Sequence, residues 1–137
     1  MTRAPLTLAE NDTFSGTSVG PITQTDIVRF AGAGGDFNPL HHDDAYARTA
    51  GLPGVIAMGQ MQAGILGTWL ADTVHVENVL SYSVRFVSPL AIGETLDLNG
   101  SVESVDETGG KATVTLAATV GDRAVVTGKA TVRITAA

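Results

Sequence analysis

No cysteine occurs anywhere in the chain, which excludes disulfides, thiolate metal sites and cysteine nucleophiles together and leaves the cellular compartment open on redox grounds. Positive charge is scarce as well. Eight basic residues stand against 14 acidic ones, and Arg3, Arg29, Arg48, Arg85, Lys111, Arg123, Lys129 and Arg133 are scattered singly. A surface without a basic cluster is a poor match for a phosphate backbone, so nucleic acid is not an expected partner. The stretch from Met1 to Phe14 lacks an apolar core and carries Glu10 and Asp12, unlike a secretory signal, and a cytoplasmic location is expected. From Thr49 to Ala71 charge is missing altogether, as in a membrane span. Pro53, glycines such as Gly54, Gly59, Gly64 and Gly67, and the pair Gln60 and Gln62 would leave too much polar surface in lipid, so a helix buried on every side within a protein is the better reading and no membrane is expected. There is also no Gly-x-Ser-x-Gly elbow and no glycine-rich phosphate loop, the marks of serine hydrolases and nucleotide-binding enzymes.

What is present is a balanced globular composition, with 44% apolar and 16% charged residues and no low-complexity run or linker. At 137 residues it fits one domain, 1–137. Thr13 to Val19 reads as a short strand, punctuated by Gly20-Pro21. Thr23 and Asp26 have the spacing of a capping box, and Ile27, Val28, Phe30 and Ala31 then suit a helix that stops at Gly34-Gly35. Pro39 breaks helical geometry at Asn38, so Asp36 to Asp43 is a loop, followed by a second short helix over Asp44 to Ala50. Gly59 to Asp72 is the strongest helix candidate, with Met61, Ile65, Leu66, Trp69 and Leu70 at three- and four-residue spacing and small residues between them.

Beyond that helix the apolar period changes to two. Leu80, Tyr82, Val84 and Phe86 alternate with polar residues, as do Leu96, Leu98 and Val102, then Val114, Leu116, Ala118 and Val120, then Ala124, Val126, Ala130, Val132 and Ile134. Turn residues over Pro89–Gly93, Asp106–Gly110 and Gly121-Asp122 separate four strands, the last pair being a two-residue hairpin candidate. A buried helix followed by antiparallel strands with one apolar face predicts an α+β fold, a sheet wrapped around the helix, with an edge or face free to meet a second copy.

Chemistry concentrates in Gly35-Asp36-Phe37-Asn38-Pro39-Leu40-His41-His42-Asp43-Asp44, where a carboxylate and an imidazole flank a proline-stiffened turn. Asp36 and His41 facing one water could hold it, remove its proton and deliver a proton elsewhere, because imidazole titrates near neutral pH. The spacing alone equally fits an Asp in an Asx-turn and a His that merely packs. Consecutive residues rarely converge on one ion, so His41 to Asp44 is not read as a metal site, and no metal is expected. His75 reads as a surface or strand-edge residue, and Arg85 as solvent-facing or acid-paired, with a substrate phosphate as its other candidate partner.

The run DFNPLHHDDAYA resembles the Asp-x-Asn-Pro-hydrophobic-His motif of the MaoC-like dehydratases and (R)-specific enoyl-CoA hydratases. The likeness runs on through a glycine-initiated apolar helix and Val84-Arg85-Phe86 leading to Pro89 and Gly93-Glu94, and spans roughly Thr23 to Ile134. It implies a hot-dog domain that adds water to, or removes it from, a 2-enoyl thioester of CoA or acyl carrier protein, giving an (R)-3-hydroxyacyl product without a cofactor. It implies Asp36 and His41 as the acid/base pair, and a homodimer or heterodimer. Gly59 would offer its N–H to the thioester oxygen, where charge gathers as water adds. Asn38, Met58 and Gln60 complete the expected substrate-binding set with Gly59. One departure stands out: the family usually has His before that glycine, where this chain has Met58, and Gln60 stands where Met is common. Two other functions remain as alternatives, a hot-dog thioesterase and a non-catalytic acyl-binding subunit.

Overall fold

The computed structural model describes residues 2–135. Strand β1 (Thr17–Val19) leads through Gly20-Pro21 to helix α1 (Gln24–Gly34). The capping box forms as read: Thr23 Oγ1 accepts from the Asp26 N–H at 3.1 Å, and Asp26 Oδ2 accepts from the Thr23 N–H at 2.9 Å. The Thr23 N–H foremost, and the Thr23 side chain after it, hold the Asp26 carboxyl below its ordinary range. At the other end Gly35 takes a left-handed φ of 70°, a conformation glycine adopts without steric cost, and closes the helix. A 3₁₀ turn (Pro39–His41), helix α2 (Asp44–Thr49) and helix α3 (Gly59–Val74) follow.

Strands β2 (Val79–Phe86), β3 (Leu96–Asp106), β4 (Lys111–Val120) and β5 (Arg123–Arg133) join β1 in one five-stranded sheet of order β1-β3-β4-β5-β2, antiparallel throughout. Leu96, Leu98 and Val102 of β3, Ala112, Val114, Leu116 and Ala118 of β4, and Ala130 and Val132 of β5 all point into one core. Helix α3 lies in the concave face of the sheet and buries Met61, Gln62, Ala63, Leu66, Leu70 and Val74 against it. Small residues set the closeness: a Cβ at Gly67 would stand 3.1 Å from the Tyr82 ring of β2, whose hydroxyl donates to Ala63 O at 2.8 Å.

Three details depart from the sequence expectations. Helix α3 is not covered on every side in this chain, because Gly64, Thr68 and Asp72, four residues apart, form a solvent-facing stripe. In β5 the strict alternation fails at a bulge: Ala118 faces Val126 while Thr119 faces Ala124, so Val125 is an extra residue, and both Val125 and Val126 are buried. His75 does not sit on a strand or the open surface. It ends α3 with φ 71°, and its Nδ1 is buried without a partner among the described residues.

Candidate active site

The loop after α1 is shaped by its own side chains. Asp36 Oδ1 accepts the Asn38 N–H at 3.3 Å, and Asn38 Oδ1 accepts the Leu40 N–H at 3.0 Å. These Asx-type bonds and the 3₁₀ turn started by Pro39 reverse the chain. The reversal carries His41 back towards Asp36, with Nε2 3.4 Å from Oδ2. The His41 ring is buried, whereas the Asp36 side chain remains 45% exposed, so the pair sits at a boundary between interior and solvent.

A second bond fixes which nitrogen does what. His41 Nδ1 lies 2.8 Å from Ile56 O. A carbonyl only accepts, so Nδ1 carries the proton, and in the neutral ring Nε2 presents its lone pair on the Asp36 side. The Ile56 backbone is itself pinned, since its N–H donates to Leu40 O at 3.1 Å and the neighbouring Ala57 N–H donates to Leu90 O at 2.8 Å.

Helix α3 begins beside this pair with no side chain capping it: Met58 occupies the N-cap position and makes no capping bond. The first N–H groups of a helix have no partner within it, so the Gly59 N–H is free and lies at the positive end of the helix dipole. Packing favours glycine here. A Cβ at Gly59 would stand 3.0 Å from Cδ1 and Cε1 of Phe86, whose ring covers this turn.

Asp36, His41, Met58, Gly59 and Gln60 line one pocket of about 460 Å³. The rest of the lining is apolar apart from Gln62 and Ser88, with Phe86, Val87 and Pro89 and with Val125 and Val126, which are both buried at the bulge. Asn38 is not on that wall; it is exposed, and its side-chain oxygen is committed to Leu40. Gln62 and Phe86 line the pocket without having been singled out from the sequence. The available signal for Gln62 was its place one turn after Gly59, next to the apolar Met61 and Ala63.

The four residues from His41 to Asp44 diverge. His42 Nε2 donates to Phe37 O at 3.2 Å, Asp43 caps α2 through Tyr46 N–H at 3.1 Å, and Asp44 pairs with Arg48 at 2.7 Å. Among the described residues no group of three or more His, Asp or Glu could hold a metal ion. Arg85 is exposed on the edge strand β2. A larger cavity, about 930 Å³, lies on the opposite flank of α3 against α1, with Phe30, Ile65 and Trp69 on its wall and Asp26, Arg29 and Asp72 among its charged groups. It contains neither Asp36 nor His41, so size does not mark the chemistry here.

Residues 8–126 match the family described as MaoC like domain. The chain belongs to the MaoC-like family. An (R)-specific enoyl-CoA hydratase of Rhodospirillum rubrum is 32% identical over 119 residues, covering 84% of this chain and 81% of the relative. Among solved structures, a MaoC-like dehydratase superposes with a TM-score of 0.88 at 26% identity; it covers 97% of this chain, which spans only 44% of that longer one. The (R)-hydratase from A. caviae superposes with a TM-score of 0.80 at 26% identity over 93% of this chain and 97% of the other. The open sheet packed on α3 is thus the hot-dog fold of MaoC-like proteins.

Proposed function

We propose that this MaoC-like chain, acting as one domain over 1–137, is a hydro-lyase that adds water reversibly to a 2-enoyl thioester of CoA or acyl carrier protein, forming the (R)-3-hydroxyacyl thioester. The observation that carries the reading is the 3.4 Å approach of His41 Nε2 to Asp36 Oδ2, with the opposite ring nitrogen held by Ile56 O. A water between the carboxylate and Nε2 has acceptors for both protons. Its oxygen forms the bond to C3, one proton passes to the pair, and the pair returns a proton to C2, so the sum is one water added. Negative charge gathering on the thioester oxygen meets the free Gly59 N–H, an interaction strongest in the transition state. The R. rubrum and A. caviae hydratases support the same reaction class.

Crotonyl-CoA tests it. Loss of enone absorbance without release of thiol is the expected result. Thiol release instead would mark a thioesterase, and an inert protein an acyl-binding subunit.

For assembly, the edge strand β2 presents Leu80 and Phe86, 42% and 52% exposed, beside an unpaired backbone edge, which fits pairing with a second copy or a related chain. Light scattering after size exclusion should give twice the chain mass. No helix among the described residues is long and apolar enough to cross a membrane, and a cytoplasmic site of action is proposed.

A further inference from the structure

Gln62 is only 2% exposed, lines the same pocket as Asp36, His41 and Gly59, and has a side-chain oxygen, Oε1, with no hydrogen-bond partner among the described residues. Every other buried residue of α3 is apolar. A buried amide with an unmet end destabilises the folded chain, and leucine would fill the same place without that cost. The unmet group therefore calls for a partner that arrives from outside.

The reacting water is not that partner. With Nδ1–H committed to Ile56 O, His41 Nε2 and the Asp36 carboxylate supply two acceptors for the two protons of one water, leaving none for Gln62. A plain alkyl chain has nothing to offer either. Gln62 lies three residues beyond Gly59, a rise of about 4.5 Å along the helix axis, and helical side chains lean back towards the start of the helix. If the thioester oxygen rests on the Gly59 N–H, that reach matches the carbons just beyond the reacting double bond. A hydroxyl there can donate to Oε1, the end of the amide left without a partner.

We infer that Gln62 is a specificity-determining residue that selects acyl thioesters carrying a hydroxyl close to the reacting double bond, at about the fourth or fifth acyl carbon, over unsubstituted alkyl ones. The inference rests on the hydratase reading for its placement of the thioester. A site built to hydrogen-bond a hydroxyl discriminates strongly against an isostere that lacks it, because the buried polar group is then left unpaired.

The test compares 4-hydroxybut-2-enoyl-CoA with pent-2-enoyl-CoA, in which a methyl replaces the hydroxyl, for the wild type and Gln62→Leu. Wild-type kcat/KM should favour the hydroxylated ester by about tenfold or more, and Gln62→Leu should abolish or invert that preference. Calorimetric binding of the saturated analogues, 4-hydroxybutanoyl-CoA and pentanoyl-CoA, should show the same reversal without turnover. Ligand-free Gln62→Leu should melt at a higher temperature than the wild type, which a structurally satisfied glutamine would not allow. Equal preference for the two esters in the wild type, or a preference that survives Gln62→Leu, overturns the inference. Reversal in the binding assay with no hydration of either ester would instead overturn the hydratase reading and leave the role of Gln62 standing.

Discussion

Helices α1 and α3 begin in opposite ways. At α1 the Thr23 and Asp26 side chains answer each other's backbone N–H groups, so its first turn is satisfied from within the chain. At α3 the N-cap is Met58, whose side chain makes no capping bond, and the glycine after it leaves the turn open to the pocket. One end is finished locally and serves stability; the other is left unfinished where a substrate can complete it. The same contrast holds for the two cavities beside them, since the larger one contains the occupied Asp26 and the smaller one the free Gly59 N–H.

The sharpest way to break the contrast is to remove the acid/base pair beside α3. Asp36→Asn or His41→Gln should lower kcat by about 10² to 10⁴ or more, with the double variant little worse than either single one, while circular dichroism and melting stay near wild type. Near-native turnover in either single variant would sink the assignment. Next is the unfinished turn itself. Gly59→Pro deletes one N–H at the first helical position, where proline is tolerated, and should cost about 10² to 10³ in kcat. Gly59→Ala keeps the N–H but presses on Phe86; if it matches the proline variant in kcat, crowding rather than the donor explains the loss.

At α1 the effect should fall on stability alone. Thr23→Ala is expected to cost about 0.5 to 2 kcal/mol by chemical denaturation, with kcat unchanged. The smallest effect is a pH dependence. The folded-state pKa of Asp26 is lowered, so its contribution is present above the unfolded carboxylate value of 3.8 and is lost as pH falls through the lowered folded one. Melting temperatures of wild type and Asp26→Asn should therefore differ at neutral pH and converge in strong acid; a gap that persists there would mean the carboxylate charge is not what stabilises this turn.

The two ends of the molecule were also unequally legible from the sequence. The α1 cap, the glycine stop at Gly35 and the Asx turns around Asn38 depend on residues two to five apart, so spacing in the chain stands for distance in space. The approach of Asp36 and His41 follows from the same short loop. Phe86 over Gly59 could not be read this way, because 27 residues separate them and strand register decides which side chain arrives. The paired inward valines escaped for a related reason: a bulge shifts the alternation by one residue, and the Ala124-Val125-Val126 sequence does not announce it. Gln62 was visible only as an argument against a lipid-embedded helix, since nothing local reveals that its amide lacks a partner. The open stripe at Gly64, Thr68 and Asp72 depended on which face the sheet leaves uncovered.

The His41 ring takes its orientation from a main-chain oxygen, that of Ile56, rather than from another side chain. Side-chain drift at position 56 therefore leaves the imidazole's protonation pattern intact. Losing it requires moving the crossing segment that ties Leu40 to Leu90, so the property is inherited through topology and is shielded from most point mutations.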